Sequence, residues 1–249
     1  MNYYIVTGTS QGLGEAIARQ LLSKGNHVFC ISRSENKDLM EAAQGEGVEL
    51  EYYNFDLSNV DRIDALMNNI FGKISKEYIE SIALINNAGV VTPMKPIELC
   101  NSEEIIQNIQ VNLTAPMLLT SAFVSHLDHV KADKRVINIS SGAGKKPYFG
   151  WSNYCSAKAG IDMFTRTVAL EQEHKEYPVK IISFAPGVVD TAMQGKIRKS
   201  SKDNFKDLDR FIKMKDDGAL YTPQYVAEYV LQLLTQDLVG GEILDIRNM

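Results

Sequence analysis

Short β-rich apolar runs alternate with longer amphipathic stretches from one end of this chain to the other, and that rhythm leaves few folds open. The β-type runs are YYIVTG (3–8), HVFCISR (27–33), VELEYYNFDL (48–57), SIALINNAG (81–89), RVINISS (135–141), VKIISFAPG (179–187) and EILDI (242–246). Between them, segments such as GEAIARQLLSKG, VDRIDALMNNIFGKI, NYCSAKAGIDMFTRTVALEQEH and PQYVAEYVLQLLTQ carry apolar residues at helical spacing. Several strands are near-continuous Val/Ile runs, which suits strands covered on both faces. Strand–helix–strand repetition demands crossovers between parallel strands. The expectation is therefore an α/β, doubly wound Rossmann fold with about seven parallel strands and helices on both faces.

No linker, repeat or low-complexity tract divides the 249 residues, so 1–249 reads as one domain. One stretch breaks the rhythm: DTAMQGKIRKSSKDNFKDLDRFIKMKDDGALY, 190–221, is long and charged and lies between a strand and the last helix. Surface decoration is one reading. Its position after a strand's C-terminal end, where such folds bind ligands, favours a substrate lid.

The net charge of −5, from 26 basic and 31 acidic residues, argues against nucleic acid as the main partner, which would need clustered Lys and Arg. The densest basic stretch, 195–206, is diluted by Asp and Ser and reads as a solvated face. Cys30, Cys100 and Cys155 form no C-x-x-C and are too few for a disulfide framework. His27, His126, His129 and His174 show no metal spacing, so no metal is expected. The chain opens directly into a strand without a leader pattern, and no apolar run reaches the roughly 18 residues that span a bilayer. No membrane association and a cytoplasmic location are the expectations.

The stretch YYIVTGTSQGLGEAIARQLL reads as strand, turn and helix, with Gly8, Gly12 and Gly14 in the turn. Glycines there permit a tight turn and close backbone approach, exposing the first helical N–H groups to a pyrophosphate. The spacing is G-x-x-x-G-x-G rather than G-x-G-x-x-G. At the end of the second strand an NAD site calls for a carboxylate to hold the ribose 2′-hydroxyl. Here Ser32 takes that place and Arg33 follows. A guanidinium binds a 2′-phosphate that a carboxylate would repel, so NADP(H) is the expected cofactor. Asp56, ending the third strand, has two readings: a contact to the adenine edge, or a cap for the next segment.

Tyr154 and Lys158 lie one helical turn apart, a spacing that chance supplies about once in a chain with 11 Tyr. The pair gains meaning from its company. TGTSQGLG, NNAG (86–89), Asn112 in VNLTAP, INISS (137–141), YCSAK (154–158) and APGVVDT (185–191) fall in the order and spacing of the short-chain dehydrogenase/reductase family, which the whole chain resembles. Within that family it looks like the sepiapterin reductase branch. The resemblance implies an NADPH-dependent carbonyl reductase with Asn112, Ser141, Tyr154 and Lys158 as its catalytic set. It implies cofactor contacts from Gly8, Ser10, Gln11, Gly12, Leu13, Gly14, Arg33, Asp56, Leu57, Asn87, Ala88, Gly89, Tyr154, Lys158, Pro186, Gly187, Val189 and Thr191. In the family, Asn112 holds a water in a proton relay reaching Lys158, and the lysine also holds the nicotinamide ribose. Such proteins commonly pair, so a homo-oligomer, dimer or tetramer, is expected.

The chemistry is intelligible from the residues. Hydride addition to a carbonyl carbon builds negative charge on oxygen, which needs a proton donor. A free Tyr has a pKa of about 10, and a nearby cation lowers it. Lys158, on the same helix face as Tyr154, is placed to supply that charge. Ser141 and Ser140 compete to bind the substrate carbonyl, and the family spacing favours Ser141. Tyr148, Trp151 and Met193, with Ser141 and Tyr154, suggest an aromatic-walled substrate pocket for an α-diketone or aromatic carbonyl. Phe149 belongs either to that wall or to the core. Asp245 matches the place where sepiapterin reductases anchor a pterin, which keeps a pterin side-chain carbonyl as an alternative substrate. A non-catalytic NADP(H) sensor is an alternative of another class.

Overall fold

The computed structural model describes residues 1–249. Seven parallel strands, β1 (Asn2–Thr7), β2 (Asn26–Ser32), β3 (Glu49–Asn54), β4 (Ser81–Asn86), β5 (Asp133–Ile139), β6 (Lys180–Ala185) and β7 (Ile243–Asp245), form one sheet in the order β3-β2-β1-β4-β5-β6-β7. The helices are α1 (Gly12–Gln20), α2 (Lys37–Glu46), α3 (Ile63–Phe71), α4 (Ser102–Ile109), α5 (Ala115–Leu127), α6 (Ser152–Gln172), α7 (Ala192–Arg198), α8 (Leu208–Asp216) and α9 (Pro223–Leu233).

Alternation along each strand sorts side chains into two layers. Tyr3 and Ile5, Phe29 and Ile31, and Ile82 and Leu84 face one layer with α3, α5 and α6, where Met67, Phe123 and Val168 meet them. Val6, Val28 and Cys30, and Ala83 and Ile85, face the other, where Ile17 of α1, Leu39 of α2 and Val230 of α9 close over them. Both layers are mostly apolar, which is why the inner strands read as Val/Ile-rich runs; the exception is a buried hydrogen-bonded set, Asn86, Asn138, Thr165 and Ser183, between β4–β6 and α6.

The strand order runs outward from β1 through β2 to β3, then restarts at β4 and runs the other way. Beyond the C-terminal ends of β1 and β4 the chain therefore diverges and opens a crevice. Every strand ends earlier than its apolar run in the sequence: β1 stops at Thr7, β4 at Asn86 and β6 at Ala185. The residues that follow leave the sheet to line the crevice.

The segment 190–221 is structured. Val189 pairs with Tyr221 in an isolated bridge, Tyr221 N–H donates to Val188 O (3.0 Å) and Asp190 N–H to Tyr221 O (2.9 Å), so its two ends meet at a closed neck. Its buried side chains Ile197, Phe205, Leu208 and Phe211 form a third, smaller cluster with Trp151 and Tyr154. Gly150 makes that closure possible: with φ +84 and an added Cβ only 2.0 Å from Asn204 O, no other residue fits against the segment.

Candidate active site

The crevice is a cleft of about 340 Å³ at the C-terminal edge of the sheet. Its floor begins at the β1–α1 turn. Gly8 and Gly12 have φ of +76 and +67, and Gly14 packs so closely that a Cβ would meet Gly8 O at 2.3 Å and Asn87 Nδ2 at 2.4 Å. Gly8, Ser10, Gln11, Gly12 and Leu13 line the cleft, whereas Gly14 acts behind it, by letting α1 approach β4. The N-cap residue of α1, Gln11, makes no side-chain cap hydrogen bond. The first N–H groups of the helix are thus left for a ligand, as an anion site at a helix N-terminus requires. Asn87 holds the turn from the other side, donating from Nδ2 to Thr7 O (2.8 Å).

Next along the cleft, Ser32 is buried, its hydroxyl donating to Ser34 O (2.7 Å), while Arg33 is exposed and lines the cleft with no carboxylate within ion-pair distance. Asp56 caps the following turn, accepting from Ser58 N–H (2.9 Å) and Ser58 Oγ (2.8 Å), and also lines the cleft. Leu57, Asn87, Ala88, Gly89, Pro186, Gly187, Val189 and Thr191 complete this wall. These residues fit a nicotinamide dinucleotide: a glycine cradle, a free helix N-terminus and an unpaired cation stand in sequence along one groove.

At the far end Ser141, Tyr148, Trp151, Tyr154, Lys158 and Met193 share the cleft. Tyr154 is buried, and burial pushes its phenol up to about 12, although the Ser141 hydroxyl beside it pulls the other way. Lys158 is buried one turn on, its pKa drawn down to about 8 by burial, with Asp162 opposing that shift. Its Nζ lies 5.7 Å from the Tyr154 ring centroid and donates to Ile139 O (2.8 Å). The sequence-based expectation of a phenol lowered by its lysine therefore does not describe this state. Burial is the largest influence on both groups and disfavours the charged form of each, leaving a protonated phenol beside a lysine that gives up its proton more readily than usual. The Ser141 hydroxyl oxygen accepts from Ala143 N–H (3.1 Å), which leaves its own O–H to turn toward the Tyr154 oxygen or a ligand. Ser140, its competitor, also lines the cleft, but its Oγ is buried without a partner.

Three residues stand differently from the sequence reading. Asn112 does not line the cleft; it is buried in a π-turn, Gln110–Thr114, between α4 and α5. Both ends of its amide are used by one residue: Oδ1 accepts from Val90 N–H (3.0 Å) and Nδ2 donates to Val90 O (2.8 Å). Asn112 thus fixes the loop after β4 rather than its own helix. Asp245 also lies outside the cleft lining, buried and tied to Arg247, which does line it. Phe149 is neither core nor pocket wall: it is exposed, with Lys206 over its ring. Sequence reasoning missed Gln107, Arg210, Phe211 and Arg247 in the lining. Only the Asp-x-Arg spacing after the last strand was there to signal one of them.

The aromatic wall is continuous. The Trp151 ring lies 4.6 Å from that of Phe205, 5.1 Å from Tyr148 and 5.4 Å from Tyr154. Such a wall suits a flat, apolar ligand.

Comparison with known proteins agrees with this geometry. The family model described as short chain dehydrogenase matches residues 2–202. The chain is 53% identical over 247 residues to a benzil reductase ((S)-benzoin forming) of Bacillus cereus, covering 99% of each. It is 43% identical to the enzyme of the same name from Bacillus subtilis (strain 168), again over 99% of each. Sepiapterin reductase of Mus musculus is more distant, at 32% identity over 94% of this chain and 91% of the relative. Among solved structures, the KRED1-Pglu enzyme matches with a TM-score of 0.84 at 28% identity, over 98% of this chain and 100% of that one. Full-length sequence likeness, the parallel sheet and the glycine turn converge on one assignment: this chain belongs to the short-chain dehydrogenase family.

Proposed function

We propose that this protein is an NADPH-dependent carbonyl reductase acting on an aromatic α-diketone, of the kind that converts benzil to (S)-benzoin. The observation that carries the reading is a protonated, buried Tyr154 phenol on the same cleft wall as the Ser141 hydroxyl, beneath an aromatic surface. The 53% identity to a Bacillus benzil reductase supports the substrate class. Arg33, with no carboxylate beside it, supports NADP(H) over NAD(H).

The nicotinamide, when bound, supplies hydride to the carbonyl carbon. The protein's own groups handle the oxygen. Ser141 turns its O–H to the carbonyl and holds it in place. Tyr154 delivers its proton as charge develops, and Lys158 steadies the phenolate left behind. Of its three N–H bonds Lys158 spends one on Ile139 O, so two remain for the ribose hydroxyls and for proton return. Asn112 acts through the Val90 loop that shapes this wall, and the family's water relay would reach Lys158 from there. The segment 190–221 serves as the substrate lid, contributing Met193 and Phe211 to the cleft.

A pterin carbonyl is the second reading, supported by the sepiapterin reductase relatives. Against it, the Asp245 carboxylate is already engaged by Arg247. A non-catalytic sensor has no need of the Ser141, Tyr154 and Lys158 that this chain keeps. No helix is long and apolar enough to cross a membrane, and we place the protein in the cytoplasm, where its three free thiols are stable. Exposed Met163 and Leu170 on α6 support a homo-oligomer.

The test is NADPH oxidation with benzil and chiral analysis of the product. Wild type should turn over, and Tyr154→Phe should lose at least about a hundredfold in kcat while still binding NADPH. Undiminished turnover in the variant would sink the mechanism.

A further inference from the structure

Near the end of the chain Arg247 lines the substrate half of the cleft, held from behind by Asp245. Asp245 is buried, and its Oδ1 accepts from Arg247 N–H (3.1 Å) and Arg247 Nε (2.8 Å), while Oδ2 accepts from Arg247 Nη2. This fork fixes the guanidinium plane and cancels its charge. It also uses only one edge: of the five guanidinium N–H bonds, both on Nη1 and the second on Nη2 remain unspent. Those donors lie beside the reacting end. A Cβ added to Gly142, the residue after Ser141, would sit 3.7 Å from Arg247 Nη2, and both Gly142 and Arg247 line the cleft. No carboxylate other than that of Asp56, at the opposite end, lines the cleft to compete for them.

We propose that Arg247, aimed and neutralised by Asp245, is a substrate-positioning residue that donates to a second, uncharged acceptor oxygen next to the carbonyl being reduced. The ligand class it selects is a vicinal dicarbonyl, because the second carbonyl oxygen offers an acceptor without a charge. The pair inverts what the Asp245 carboxylate alone would recognise: an acceptor that would hold a ring N–H becomes a held donor. The inference rests on the carbonyl reductase reading of the same cleft.

Benzil and deoxybenzoin share a two-ring frame and differ by the second carbonyl, so they isolate this contact. Calorimetric titration of each into protein loaded with NADP+, which cannot reduce them, reads binding without turnover. Wild type should bind benzil about tenfold more tightly than deoxybenzoin, and Arg247→Met should erase that difference. In turnover, Arg247→Met should raise KM for benzil with kcat little changed, and Arg247→Lys should restore part of it. Removing Arg247 strands a buried carboxylate, so the double variant Asp245→Asn/Arg247→Met carries the same expectation if the single variant fails to fold. A wild type that binds both ketones alike, or a preference that survives the substitution, overturns the inference. Failure of the broader reading looks different: benzil binds but is not reduced with NADPH.

Discussion

Two ends of the same sheet each hold a Lys and an Arg, in opposite conditions. At the start of β5, Lys134 is buried and donates to Leu127 O (2.8 Å) and Tyr177 O (2.5 Å), closing the C-terminus of α5. Its neighbour Arg135 faces the other layer. It grips Asp133 and donates to Leu233 O (2.9 Å) and Gln236 O (2.6 Å) at the end of α9. Successive side chains of one strand thus cap helices on both faces, where cations are favoured at a carbonyl-rich terminus. At the opposite end, Lys158 has a single carbonyl partner and Arg33 has no ion-pair partner. Nearby, Ser140 Oγ, Trp151 Nε1 and Asp162 Oδ1 are buried without partners. Saturated cations hold the fold together, whereas unsaturated ones keep capacity for a ligand.

The sharpest way to break this comparison is to remove each lysine. Lys158→Met should cost at least about a hundredfold in kcat/KM for ketone reduction while the protein stays folded. Lys134→Met should leave activity per folded molecule unchanged and instead lower Tm by roughly 5–10 °C, since the last carbonyl of α5 and the Tyr177 carbonyl of the loop before β6 lose their donor. Paired assays of kcat/KM and thermal melting decide it. Activity lost through Lys134 with Tm intact would show that the two ends are not divided in this way.

The arginines give a smaller contrast. Arg33→Ala should weaken NADPH by about tenfold or more and leave NADH nearly unchanged, narrowing the preference between the two. Cofactor titrations by fluorescence read this directly. Equal losses for both cofactors would mean that Arg33 serves the loop and not the 2′-phosphate.

The strands were legible because burial on both faces forces a pattern that survives in sequence. Their ends were less so. Gly8, Asn87–Gly89 and Pro186–Gly187 extend the β-like runs but turn out of the sheet, and only the turn geometry, not hydropathy, separates them. The glycine turn, Arg33 and the Tyr154–Lys158 pair were visible because each has a spacing. Asn112 was visible only through its motif, because the π-turn that aims it at Val90 adds a single residue to a turn and hardly disturbs the apolar period. Arg210 left no pattern and Arg247 only the Asp-x-Arg spacing, since each reaches the cleft alone from a distant segment. The phenol's environment was misjudged for a related reason: sequence spacing shows the cation four residues on, but not the burial that dominates both groups.

That burial sets the smallest and most diagnostic effect. Lys158 is held down to about 8 and Tyr154 up to about 12, so in the free protein the lysine is the first of the two to lose its proton as pH rises. The logarithm of kcat/KM for reduction should be flat near neutral pH and fall with a midpoint near about 8, with no second change until the phenol titrates. Stability should move the other way. The unfolded chain keeps its Lys proton up to about 10.5, so between about 8 and 10.5 the unfolded state binds more protons and the Lys158 contribution to folding improves as pH rises. Lys134, also drawn down by burial, contributes with the same sign, so melting against pH cannot separate the two lysines and only the rate can. A rate that falls above about pH 8 in wild type and in Lys134→Met alike, with Tm not falling in step, assigns the loss to the under-partnered lysine. A parallel collapse of Tm would assign it to unfolding, and the two ends of the sheet would no longer differ in what their cations do.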